Sequence, residues 1–289
     1  TVNTPALLFE DATGKSYIQF MYIGDQEGQM WKMDVRNANP ANWPDNCVFF
    51  DALATNTNER FINTSPELSY DNGKRLWVYF GTGDIYNPER ITTTMDNRFF
   101  AIRDDNVSLY YGSNSGDCPS PQITFSDLSD VSAAGASIGA NRKGWYVDLQ
   151  RGNGEKVMGS MVWGGVIFFT TYVPNSNACD YGDAYLYALD AFEGSNPPTW
   201  LTNGSTDSRT NNHPKIMWLG RGQPSVPVAR RLPNGTTGIY VTLTASNASE
   251  AYPWGMSGSG VEGHVGLLKF ENPGGGADNV IPREWRELY

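Results

Sequence analysis

Residues 156–194, KVMGSMVWGGVIFFTTYVPNSNACDYGDAYLYALDAFEG, constrain the fold more than any other stretch of the chain. An apolar run over 158–163 meets Gly164-Gly165, and a second run follows at once over 166–173. Two β-rich runs joined by Gly-Gly predict a hairpin. A polar loop then leads to a third strand over 184–189, bounded by a turn between Asp190 and Gly194. A chain that repeats this grammar must stack its hairpins, because a lone hairpin cannot bury its own apolar face.

Composition points the same way. Of the 289 residues only 18% are charged, while 13% are aromatic and 31 are glycine. Tyr, Phe, Trp, Val and Thr with abundant Gly and Asn favour strands and tight turns over long amphipathic helices. The formal net charge is −10 and the basic residues are scattered. Nucleic-acid binding needs a basic stripe that displaces counterions, and the sequence has none. No apolar run approaches the ~20 residues that span a bilayer, and no signal-peptide pattern opens the chain. A start at Thr1 predicts a processed or excised piece of something longer.

In chain order, residues 17–35 predict strand, turn, strand, with Gly28 in the turn. Residues 36–74 read as loop-rich, with Pro40, Pro44, Pro66 and an Asp71-Asn72-Gly73 turn. A second unit pairs a strand from Arg75 with NRFFAIRDD over 97–105. Residues 104–143 are weakly patterned and predict a loop-rich insertion, either with a task or simply mobile. Further strands are predicted over 143–149, 216–219, 224–232, 238–246 and 261–271. The sum is a single all-β domain over 1–289, a β-propeller of four to five blades in this chain and part of a larger ring.

Several segments together resemble the C-terminal β-propeller of PilY-type proteins, which are type IV pilus tip-associated adhesin and biogenesis factors. They are YIGDQEGQMWKMDV (22–35), VYFGTGD with NRFFAIRDD (78–84 and 97–105), and GWYVDLQRGNGEKVMGSMVWGGVIFFTTYVP with CDYGDAYLYALDAFEG (144–174 and 179–194). GRGQPSVPV (220–228) and REWREL (283–288) complete the series, which runs in order along nearly the whole chain. The resemblance implies a non-enzymatic scaffold or adhesin module, extracellular or at the cell surface after passage through the periplasm. Implied partners are minor pilins or other pilus tip components, a host or abiotic surface, and the N-terminal part of the same protein. The family often carries a calcium loop just before its YxGD strand. Here that position holds Asp11, Thr13, Lys15 and Gln19, with an ammonium and a neutral amide where carboxylates belong. Calcium wants six to eight oxygens, several of them anionic, so neither calcium nor another cofactor is expected.

Other motifs offer chemistry beside plainer structural roles. ALDAFEGSNPPTW (188–200) resembles the blade-closing tryptophan motif of quinoprotein-like dehydrogenases, which makes a fragment of such a periplasmic enzyme the alternative function. Packing between blades is the plainer role for that Trp. His213 and His264 are isolated and fit no zinc spacing. Gly255-Met256-Ser257-Gly258-Ser259 lacks the last glycine of a nucleophile elbow. The acid pairs Asp104/Asp105, Asp127/Asp130 and Asp180/Asp183 are of a kind that does acid–base work or holds calcium, a role that spacing alone does not fix; Asp180 and Asp183, which bracket Tyr181-Gly182, read as turn chemistry. Three cysteines stand beyond ligand spacing of one another. In an extracytoplasmic setting Cys118 and Cys179, both in polar loops, are the expected disulfide, and Cys47 beside VFF the expected buried thiol. No catalytic residue is assigned. Loop aromatics that could anchor a partner are Tyr86, Tyr110, Tyr111 and Trp254.

Overall fold

Strands whose side chains alternate between two buried faces build the molecule. In a computed structural model of the chain, the structure describes residues 5–9, 18–52, 60–91, 97–108, 118–177, 179–197, 210–211, 213–231, 237–244 and 265–270, with backbone alone for 7–9, 108, 231, 237 and 265–270. The first sheet holds β1 (Ala6–Phe9), β2 (Ile18–Gly24), β3 (Gln29–Asp34) and β4 (Cys47–Asp51) in sequence order. The second is built from β5 (Glu67–Tyr70), β6 (Arg75–Gly81), β7 (Arg98–Ser108), β8 (Leu128–Asp130) and β9 (Gly144–Asp148), in the order β5-β6-β7-β9-β8. The third holds β10 (Lys156–Trp163), β11 (Val166–Val173), β12 (Asp183–Asp190) and β13 (Ile216–Arg221). The fourth holds β14 (Val228–Arg231), β15 (Thr237–Thr242) and β16 (Val265–Phe270). All pairs are antiparallel except β8 with β9. These are propeller-type blades, four of them among the described residues.

Alternation dictates how the blades stack. On β6, Leu76, Val78 and Phe80 join the buried cluster shared with the first sheet, while Trp77 and Tyr79 join the one shared with the third. β11 repeats the device: Ile167 and Phe169 face the second sheet, and Val166 and Phe168 the fourth. Strands buried on both faces read as nearly continuous apolar runs, as VIFFTTYV does but for its two threonines. The rings of Phe99 and Phe169 stack across the joint of sheets two and three with centroids 3.9 Å apart. Gly81 is required where these sheets touch, since a Cβ there would land on the side chain of Val157. Gly164 (φ 58°) and Gly165 (φ 77°) both take positive φ, which suits the two-residue turn of the predicted hairpin.

The structure refines two expectations and corrects a third. Loop-rich residues 36–74 also hold two strands, CVFFD as β4 and ELSY as β5. Where it is described, the 104–143 stretch is loop with short ordered pieces, β7 running on to Ser108, a 3-10 turn at Phe125–Asp127, and β8. The disulfide joins Cys47 to Cys118, not Cys118 to Cys179, and Cys179 is a free, exposed thiol. The physical reason lies in β4. It is the outer strand of the first sheet, and its Phe50 forms a parallel bridge with Ile123, which brings the start of the insertion beside Cys47. Trp200, His264, residues 255–259 and 283–288 lie outside the described residues.

Candidate functional site

Antiparallel order sends the β2–β3, β6–β7 and β11–β12 connections, together with the links between sheets, to one end of the blades. Asp25 opens this end. It accepts the backbone N–H groups of Glu27 and Gln29 at 2.9 and 2.8 Å, and the Trp31 indole N–H at 2.7 Å. The turn before β6 repeats the staple, with Asp71 accepting from Arg75 N at 3.0 Å and Trp77 Nε1 at 3.1 Å. Burial pushes the Asp71 carboxyl up, but the Arg75 and Trp77 bonds outweigh it and the net shift is downward.

Between sheets two and three Glu89 is the hub of this end. Its Oε1 accepts from Tyr172 OH at 2.7 Å and from Gln223 Nε2 at 3.1 Å, which ties the β6–β7 loop to the end of β11 and to the β13–β14 connection. Burial, then the Glu89 bond, pushes the Tyr172 hydroxyl up to about 12. Lys156 Nζ donates to Arg90 O at 2.7 Å and Gly154 O at 3.1 Å, and burial lowers its ammonium to about 8. Below it, the buried Glu155 carboxylate accepts from Thr171 Oγ1 at 2.5 Å and Tyr187 OH at 3.0 Å, with its pKa raised by desolvation. Each of these groups spends its hydrogen bonds on bracing neighbouring loops and strands. Two aromatics face outward here: Tyr86 is 64% exposed and Tyr181 58%. Tyr181 was missed by sequence reasoning, although its place in a polar loop was the available signal. Tyr110, Tyr111 and Trp254 lie outside the described residues.

At the opposite end, residues 118–143 form a strap over three sheets. Cys118 fastens it to the first sheet, and β8 adds it to the edge of the second. On the third, Lys215 Nζ donates to three strap carbonyls, Val131 O at 2.7 Å, Ala133 O at 3.2 Å and Ala136 O at 2.9 Å. His213 Nε2 faces Ser132 O at 3.1 Å, and burial lowers its pKa. Ile138 N donates to Glu193 O at 2.7 Å and Gly135 N to Asn196 Oδ1 at 3.1 Å. A shallow cleft of about 140 Å³ separates the strap from β7 and is lined in part by Arg103, Asp105, Gln122 and Lys143. Asp105 pairs with both Arg103 and Lys143, so the lining charges satisfy one another.

The acid pairs resolve into structural parts. Asp104 is fully buried and bridges blades: it pairs with Lys32 Nζ at 2.7 Å and accepts from Tyr22 OH at 2.7 Å. Asp127 accepts the Thr124 N–H at 2.8 Å, Asp130 caps Ser132, and Asp183 holds the Trp218 indole N–H at 3.0 Å. Asp180 lies 3.8 Å from Arg221. Among the described residues no group of three or more His, Cys, Asp or Glu side chains could hold a metal, and no helix is long and apolar enough to cross a membrane. Asp11, Thr13 and Lys15 lie outside the described residues, while Gln19 is a buried residue of β2.

No family model matches the chain. Its fold follows that of the C-terminal domain of Pseudomonas aeruginosa PilY1, with a TM-score of 0.60 at 18% identity over 82% of this chain and 59% of that one. In sequence it is 27% identical over 220 residues to the type IV pilus biogenesis factor PilY1 homolog of Xylella fastidiosa. The chain is similar to PilY1 proteins. That sequence match takes in 64% of this chain but only 14% of the relative's length. The motifs over 22–35, 78–105, 144–194 and 220–228 now have places. They are the β2–β3 hairpin with its Asp25 staple, the β6–β7 pair, the β9–β12 run, and the passage from β13 to β14.

Proposed function

We propose that this chain is a non-enzymatic, extracytoplasmic blade module of a type IV pilus tip-associated protein, serving pilus biogenesis and surface attachment. The observation that carries the reading is the joint likeness to PilY1 proteins, in sequence over 220 residues and in the fold of a solved C-terminal domain. The Cys47–Cys118 bridge supports an oxidising compartment. The buried ionisable groups act as interblade braces and turn caps, which supports a scaffold rather than a reaction centre. In this reading no cofactor is needed, and Lys15 stands where an anionic calcium ligand would sit. The exposed aromatics Tyr86 and Tyr181 at the loop end are the contacts offered to minor pilins, other tip components or a surface.

The test is an in-frame deletion of this region from the full-length protein in its own cell. Sheared surface pilin and attachment to an inert surface are then measured. Both are expected to fall sharply, whereas a Tyr86→Ala/Tyr181→Ala variant keeps its pili and loses attachment. Unchanged piliation in the deletion strain, or quinone-dependent alcohol oxidation by the purified protein, overturns the reading.

A further inference from the structure

The connection from β3 to β4 is exposed along its length, over residues 37–46, NANPANWPDN. Both ends of it are pinned. Arg36 turns back onto Asp34 with its Nη2 at 2.6 Å and lies over the Phe20 ring, while Cys47 is bridged to Cys118. Between them the loop is held by its own hydrogen bonds. Asn39 Oδ1 accepts from Ala41 N at 3.1 Å, Trp43 N donates to Pro40 O at 3.2 Å, and the Trp43 indole N–H donates to Asn37 O at 2.7 Å. Pro44 keeps the backbone of Trp43 extended, at φ −69° and ψ 136°. Trp43 is thus fixed in backbone and side chain, yet 41% exposed.

We infer that Trp43 is the platform of a carbohydrate site, which takes the flat face of a neutral sugar ring in a polysaccharide. A side chain ordered before its partner arrives loses little further entropy on binding. Because the indole N–H is already donated to Asn37 O, what Trp43 presents is its ring face. That face is electron-rich and attracts the C–H groups along one side of a pyranose. Asn42, Asp45 and Asn46 stand exposed on either side of Trp43 in the chain, with the donors and acceptors that sugar hydroxyls need. A protein partner would need about 800 Å² of surface around a desolvated centre, which one indole among carboxamides does not offer. An aromatic cage for a cation needs further rings, and the loop carries one. Asp45 is the only charge in the loop and the chain carries −10 overall, which disfavours anionic polysaccharides.

Native affinity gels of the purified full-length protein, cast with mannan, dextran, galactomannan or alginate, test this. At least one of the three neutral polysaccharides is expected to retard the protein. Trp43→Ala should weaken that retardation roughly tenfold or more at an unchanged melting temperature, whereas Trp43→Tyr keeps most of it because a ring face remains. Asn42→Ala with Asp45→Ala, which leaves the ring and its tie to Asn37 in place, should weaken it as well. Tyr86→Ala/Tyr181→Ala, at the other end of the blades, should bind as the parent does. Retardation by none of the neutral polysaccharides overturns the inference, and so does retardation that survives Trp43→Ala. Retardation by alginate alone overturns it too, because the ligand is then recognised by charge. Binding to a purified minor pilin that is lost in Trp43→Ala while the gels are unaffected makes the loop a protein contact instead and overturns the carbohydrate assignment.

Discussion

The joints between blades and the strap laid over them are held by opposite means. A joint is made of alternating apolar side chains, with one or two buried polar braces set into it. The strap contributes Val131, Ile123 and Leu128 to the buried clusters, yet its anchors to the flanking sheets are a disulfide, carbonyl oxygens around an ammonium, and a few backbone bonds. Apolar burial is cooperative and spread over many residues, whereas the strap depends on a few discrete ties. Damage to a joint is therefore expected to unfold the whole molecule, and damage to a tie to loosen one segment.

The largest expected effect is at the joint of sheets two and three. Phe99→Ala removes the ring stacked on Phe169 and leaves a cavity, costing roughly 3–5 kcal/mol. The loss should appear as a fall in the urea midpoint reported alike by all probes; a change confined to one sheet would break the comparison. A similar loss, about 3–5 kcal/mol, follows from Lys32→Ala, which strands Asp104 as a buried, unpaired carboxylate. Lys32→Met with Asp104→Leu should regain most of it, and a double variant no better than the single one would show that the pair itself holds the joint.

The strap should answer differently. Cys47→Ser with Cys118→Ser opens a loop of 71-residue separation and costs about 2–4 kcal/mol on loop-closure grounds. Amide exchange is expected to rise first in 118–130, and in 131–136 when Lys215→Met releases the other anchor. Uniform acceleration across β6 and β11 would erase the distinction between tie and joint. The smallest effect concerns Glu67 of β5, which accepts the backbone N–H of Val162 of β10 and whose carboxyl burial pushes up to about 7. A carboxyl raised above its unfolded value stabilises the fold while protonated and loses that contribution as pH rises through 7. Glu67→Gln should match the parent at low pH and exceed it by roughly 1–3 kcal/mol well above pH 7. Parallel melting curves at all pH values would refute this.

Much of the blade grammar was legible because it is local. Gly164-Gly165, the Asp25 turn and the run VIFFTTYV each declare their conformation within a few residues. β4 and β5 were hidden because CVFFD and ELSY are short and lie among prolines and turn residues. β8 was hidden because a three-residue parallel strand carries no period of its own. The Cys47–Cys118 pair was misread for a different reason. Neighbouring apolar residues argued for a buried thiol, and only the docking of the insertion along β4 brings the two cysteines together. Lys32 and Asp104 were equally opaque, since a charge inside an apolar alternation gives no hint of its partner on another sheet.

The strap's geometry has a mechanical consequence. It is fastened to the first sheet at Cys118 and to the third at Lys215, so it runs in parallel with both intervening joints. A load that pries the first sheet from the second is shared with a covalent link before the apolar interface can part. Tension across the third sheet falls instead on hydrogen bonds that can break and re-form. The molecule is thus expected to yield reversibly on one side and to resist on the other, like a hinge with a single fixed leaf.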